Sequence, residues 1–211
     1  MEELLSPPKI TRQQAEVVGA LEQAEGGSIQ LKYPRSGDNL SPLLLTDLDG
    51  DGAEEAIVFY TAPQKGRNVR VALLRREQEG YAVIYEGEGP GTDIEHASVA
   101  RLRSGRGGQL VVGYSGQNVA DRYLVVYSWR GLGRDGYLAR EYEQACSQLI
   151  VCDLTGDGLD DILVASPAVQ SEEAPVQLGL LSTGSEGLRL LSTITLSDKL
   201  YRCEGLQFSM G

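Results

Sequence analysis

One acidic thirteen-residue pattern recurs in this chain and restricts its fold more than any other feature. Thr46-Asp-Leu-Asp-Gly-Asp-Gly-Ala-Glu-Glu-Ala-Ile-Val58 returns as Cys152-Asp-Leu-Thr-Gly-Asp-Gly-Leu-Asp-Asp-Ile-Leu-Val164. Asp47 matches Asp153, Asp51 matches Asp157, and Glu55 matches Asp161. Midway lies a decayed copy, Ala100-Arg-Leu-Arg-Ser-Gly-Arg-Gly-Gly-Gln-Leu-Val-Val112, with Arg101 at the Asp47 position. The steps are 54 and 52 residues (47 to 101, 101 to 153). A fixed period of this length marks a repeat architecture.

Each period holds about four β-rich runs bounded by Gly, Asp, Asn and Pro. They span 29–33, 42–47, 55–60, 69–75, 81–85, 97–102, 109–114, 123–129, 137–142, 148–153, 161–165, 175–181, 188–196 and 205–210. Short, evenly spaced strands indicate an all-β fold, and a four-stranded unit of about 50 residues is the signature of a β-propeller blade. The expected blades cover 41–93, 94–144 and 145–197, with a partial fourth at 198–211, in a propeller region spanning 28–211. Propellers close with roughly 4–8 blades. Three and a fraction do not close, so the expectation is an open arc or a piece of a longer protein. Open sheet edges call for a cap or a second chain, which predicts a homodimer, a domain swap, or edge protection by the N-terminal helix and the 29–33 strand. Residues 1–27 form an N-terminal extension that holds the helix. Thr11 and Gln14 make a capping box, Val17, Ala20, Leu21 and Ala24 recur at helical spacing, and Gly26-Gly27 end the run.

Charge narrows the partners. The 211 residues carry a net charge of -11, which argues against nucleic acid, whose binding needs a basic face. Residues 95–147 run against this trend, with seven Arg against five acidic residues. They read as a repeat that lost its ion, or as an anion or partner patch. No run approaches the 18 or so apolar residues of a membrane span. The acidic start Met1-Glu-Glu-Leu-Leu5 lacks the regions of a signal peptide. Two readings stay open: a cytoplasmic chain, or one whose signal has been removed. Three cysteines, Cys146, Cys152 and Cys203, are too few for a disulfide framework.

The acidic loop has the spacing of a cation site. Asp47, Asp49 and Asp51 alternate, Gly50 and Gly52 permit unusual backbone angles, Ala53 offers its carbonyl, and Glu55 follows. Calcium takes 6–8 hard oxygen ligands, and an EF-hand would need a bidentate Glu at position 12 between two helices. Position 12 here is Val58 and both flanks read as strands. The remaining reading is a calcium loop joining adjacent strands.

These loops resemble the FG-GAP/VCBS type of calcium repeat, Asp-x-Asp-x-Asp-Gly-x-x-acidic followed by an apolar strand. That family builds integrin-α-like propellers and many secreted bacterial proteins. The resemblance covers about 41–210 and implies ligands Asp47, Asp49, Asp51, Ala53 (carbonyl) and Glu55 in the first loop. In the third it implies Asp153, Thr155, Asp157, Leu159 (carbonyl) and Asp161. Thr155 departs from the pattern, and its neutral oxygen weakens affinity. The middle copy, with Arg101, Arg103 and Arg106, should hold no metal. The stretches Leu4-Leu-Ser-Pro-Pro-Lys-Ile-Thr11 and Leu31-Lys-Tyr-Pro-Arg-Ser-Gly37 resemble the start of lipoproteins from Gram-positive gut bacteria. The resemblance implies an extracellular, lipid-anchored location, with the signal upstream.

Catalytic signatures are sparse. His96 is the sole histidine, read here as lying in a loop before strand 97–102, and no Gly-x-Ser-x-Gly, His-Glu-x-x-His or Walker motif occurs. Glu54 and Asp160 sit in the acidic loops but off the ligand pattern. The expectation is a non-enzymatic module whose blades are pinned by structural calcium and which displays loops to an extracellular protein or carbohydrate. The alternatives are a propeller-type polysaccharide hydrolase or lyase, and a structural spacer.

Overall fold

The computed structural model describes residues 11–105, 107–118, 122–131, 133–167, 176–184 and 187–196. Helix α1 (Arg12–Glu25) starts at the expected capping box, in which the Thr11 hydroxyl accepts from the Gln14 N–H and the Gln14 side chain accepts from Thr11 N–H. Gly26 ends it in the left-handed conformation. Val17 and Leu21 are fully buried as the spacing requires, but Glu25 replaces Ala24 as the third buried position. The cause is a set of partners: the Glu25 carboxylate accepts the Tyr60 hydroxyl at 2.5 Å and pairs with Lys65 at 2.8 Å. Burial and this carboxylate push the Tyr60 hydroxyl pKa upward.

The described strands form three antiparallel sheets, none of them closed. The first contains β1 (Gln30–Leu31), β2 (Leu43–Thr46), β3 (Glu55–Thr61), β4 (Arg70–Glu77) and β5 (Gly80–Glu88). The second runs β6 (Asp93–Ala100), β7 (Gln109–Ser115), β8 (Arg122–Arg130) and β9 (Tyr137–Ala145) in chain order. The third repeats this as β10 (Gln148–Cys152), β11 (Asp161–Pro167), β12 (Val176–Gly184) and β13 (Gly187–Leu196). The protein is therefore an all-β fold of propeller-like, four-stranded blades with one N-terminal helix. Each outer hairpin carries a register shift at a matching place, Leu73/Leu74, Val126/Tyr127 and Leu180/Leu181. Such bulges bend a strand and increase its twist. The expected strand 205–210 and the partial fourth blade lie outside the described residues.

The sheets stack face to face. Every residue of β3 and β7 is buried, as expected for strands covered on both sides. Ile57, Phe59, Val71 and Leu73 of the first sheet meet Leu110, Val112, Val125 and Tyr127 of the second. The opposite face of the first sheet, with Ala56, Val58, Tyr60 and Ala72, packs on Val17 and Leu21 of α1. The opposite face of the second, with Val111, Leu124 and Val126, packs on Ile162, Val164 and Leu181 of the third. Fully burying one such side chain contributes about 1.5–3 kcal/mol.

Strand β1 and the residues after it also cover inner sheet edges, as expected of the 29–33 strand. β1 pairs with Thr61 and Tyr60, end to end with β2 along the same side of β3. The chain then crosses to β6, where Arg35 N–H donates to Ile94, Asn39 N–H donates to Ala97, and Ala97 N–H donates to Ser36. Gly37 makes this approach feasible: its φ is 98°, and a Cβ there would lie 2.2 Å from the Ala97 carbonyl oxygen.

Strand β6 begins four residues before the expected 97 and ends at Ala100, so His96 lies inside a strand rather than in a loop. The polar run Asp93-Ile-Glu-His96 hides this strand from a hydrophobicity pattern. Its pairing with β7 slips between Ile94 and His96, and His96 is buried at 9 % exposure.

Candidate cation-binding loops

The three copies of the thirteen-residue pattern form the β2–β3, β6–β7 and β10–β11 hairpins. They are closed by the register pairs Thr46–Glu55, Ala100–Gln109 and Cys152–Asp161. One hydrogen bond repeats in all three. Leu48 N–H donates to Glu55 Oε2 at 3.1 Å, Leu102 N–H to Gln109 Oε1 at 2.8 Å, and Leu154 N–H to Asp161 Oδ2 at 3.0 Å. The tenth residue of the pattern is thus first a fastener of its own loop, and a neutral amide does that task in the second hairpin.

The first and third loops share more. Asp47 accepts Gly50 N–H at 2.7 Å and Gly52 N–H at 3.0 Å; Asp153 accepts Gly156 N–H at 2.7 Å and Gly158 N–H at 2.9 Å. Asp51 accepts from Ala53 N–H and Asp157 from Leu159 N–H. The loop glycines 50, 52, 156 and 158 all have φ between 74° and 91°, the left-handed region open to glycine. Alternating aspartates therefore wrap one turn in both loops, as their spacing implied.

In the first loop the structure gathers Asp47, Asp49 and Glu55. One carboxylate oxygen from each lies within 4.8 Å of the others. Ligands 2.3–2.6 Å from a calcium ion stand up to about 5 Å apart across it, so this spacing admits one. Asp51 and Ala53 lie on the exposed side of the loop. In the third loop Asp153, Thr155 and Asp157 are exposed, Leu159 is half-buried, and Asp161 is buried. Asp161 Oδ2 accepts Leu154 and Thr155 N–H, while its Oδ1 is buried with no hydrogen-bond partner among the described residues.

Three residues of the first loop's surroundings escaped sequence reasoning. The Arg75 guanidinium lies 2.5 Å from Asp49 Oδ2 and 3.3 Å from Glu55 Oε1, stacked 5.3 Å from the centre of the Trp129 ring. Arg134 reaches Asp51 at 3.6 Å. Arg75 follows Leu74, which pairs with Ala56 beside Glu55 in the β3–β4 register; Ser128 and Ser182 follow the matching pairs Leu110–Tyr127 and Ile162–Leu181 in the second and third sheets. The signal was a basic residue ending the apolar run 71–74. Burial raises the Glu55 pKa, opposed by the Leu48 N–H and assisted by the Asp49 charge, with Arg75 pulling it down.

The middle copy is tied to the third. Arg101 N–H donates to Asp160 Oδ2 at 2.7 Å, its guanidinium donates to the Gly158 carbonyl, and Asp160 N–H donates back to the Arg101 carbonyl. Arg103 pairs with Glu141. Arg101 and Arg103 of the decayed loop thus engage its neighbours, while Arg106 lies outside the described residues. No helix among the described residues is long and apolar enough to cross a membrane. No protein-family description matches this chain, and no curated protein is significantly similar to it in sequence.

Proposed function

We propose that this chain is a non-catalytic scaffold and binding module in which structural calcium ions pin the acidic hairpins of propeller-like blades. The observation that carries this reading is the orphaned buried oxygen of Asp161, in a loop whose turn matches the one gathering Asp47, Asp49 and Glu55. A buried carboxylate oxygen without a partner is costly, and a hard cation is a natural partner for it. In the first loop a cation must share Asp49 and Glu55 with Arg75; in the third no guanidinium occupies the matching strand position. Exposed loops with few charges suit the 10⁻⁴–10⁻³ M affinities of extracellular calcium modules. This agrees with a surface-anchored location, which fractionation of the producing cells would test.

The second hairpin supplies a clean experiment. Because the Gln109 amide holds its loop closed, Glu55→Gln and Asp161→Asn should keep the fold while removing ligand charge. Calcium at about a hundred times its dissociation constant should stabilise the wild type by about 2.7 kcal/mol per site, a rise of about 5–11 °C in melting temperature for a chain of this size. The double variant should lose that rise, and Arg75→Gln should enlarge it. An unchanged melting temperature at about 10–100 mM calcium, a hundred times those dissociation constants, or a rise surviving in the double variant, would refute the reading.

A further inference from the structure

A cavity of about 340 Å³ lies between the first strands of the second and third sheets, at the strand ends opposite the acidic hairpins. Its wall carries Arg122, His96, Tyr123, Ser147 and Leu149, with Arg35 and Glu95 on the crossing-segment side. Pockets that hold small ligands begin near this size, at roughly 300 Å³. The two arginines differ. Arg35 is committed to Glu95 at 2.8 Å and Asp93 at 3.5 Å. Arg122 donates from Nη1 to the Ser147 carbonyl at 2.9 Å, and among the described residues its buried Nε has no hydrogen-bond partner and no carboxylate pairs with it. A buried donor of this kind is costly unless something accepts from it.

From this geometry we infer that the cavity is a binding site for a small organic molecule bearing one carboxylate, received by the Arg122 guanidinium. The charge count supports a monoanion. Among the described lining residues there are two guanidiniums, Arg35 and Arg122, against one carboxylate, Glu95. His96 adds no charge at neutral pH, because burial drives its pKa down to about 4. Glu95 in the same wall disfavours a dianionic phosphate by like-charge repulsion. A guanidinium fork matches a carboxylate in shape as well as sign. Tyr114, Tyr123 and Leu149 give the remaining wall an apolar character suited to an organic body. The site is independent of calcium at the hairpins.

Two sources share this chemistry, a sugar acid and an amino acid or peptide terminus, and calorimetric titration of the full chain separates them. Glucuronate and N-acetylglycine are the probes, with glucose and N-acetylglycinamide as their neutral partners and inorganic phosphate as the dianion. One of the two acids should bind at about 1 mM or tighter, its neutral partner at least about tenfold more weakly. Arg122→Gln should weaken the acid by at least about tenfold, and Arg122→Lys by less. If Arg122→Gln lowers the melting temperature, the acid-against-neutral comparison on the wild type decides. Absence of binding by both acids up to about 20 mM, equal binding of acid and neutral partner, tighter binding of phosphate, or full affinity in a folded Arg122→Gln variant would overturn the assignment.

Discussion

The imidazole of His96 lies in β6 between two hydroxyls, with Nε2 3.0 Å from Ser98 Oγ and Nδ1 3.5 Å from Ser36 Oγ. Desolvation lowers its pKa to about 4, and the charge of Asp38 opposes this only in part. The neighbouring charges Arg35 and Glu95 pair with each other. In the unfolded chain His96 titrates near 6.5, so on acidification the unfolded state takes up the proton first. Its contribution to stability is complete above about pH 6.5 and falls as the pH drops towards 4, by about 3 kcal/mol in all. Urea unfolding at pH 7.5, 6 and 5 should show this loss, and His96→Asn should show a flatter dependence by one proton. At the same scale Glu55, Gln109 and Asp161 were legible as equivalents from the repeat alone. Arg75 was not, because its place beside Glu55 depends on the pairing of β3 with β4. Cys146, beside the Arg122 cavity, is buried and its pKa is pushed up to about 11, so its thiol stays protonated.

Among the elements, the crossing segment between β1 and β2 does the most with the fewest residues. It brings Arg35, Ser36 and Asn39 against β6 and places Ser36 on the cavity wall. Gly37→Ala should push the segment away, since the new Cβ would collide with the Ala97 carbonyl and the positive φ would be strained. A lower melting temperature and faster exchange of the Ala97 amide, which donates to Ser36 at 3.1 Å, would register it. Unchanged Ala97 protection would contradict this role. Helix α1 was readable in advance because its caps are local, whereas Glu25 became a buried anchor only through Tyr60 and Lys65, 35 and 40 residues further on. The polar start of β6 was unreadable because its backbone pairing, not its side chains, makes it a strand.

In the whole molecule, burial declines along the stack. The first sheet lies between α1 and the second, and the second lies between the first and the third. On the far side of the third sheet Ile150, Leu163, Leu178 and Leu180 are only partly buried, and Ile194 is 61 % exposed. Local stability follows the apolar contacts that an opening would break. Hydrogen exchange should therefore be slowest in β3, β4, β7 and β8 and clearly faster in β12 and β13; equal protection across the three sheets would mean that the third is covered as well as the others.

The 54- and 52-residue period, the turn glycines and the alternating apolar runs determined the class of fold, the three sheets of the described residues and the shape of the acidic hairpins. Each of these rests on contacts a few residues apart, which a pattern in one chain can encode. Arg75 beside the first acidic loop, the edge-covering path through Gly37, and the cavity walled by Arg122 were decided by the tertiary structure alone. They arise where segments far apart in the chain come side by side, and only the packing of one sheet on the next sets which side chains meet there.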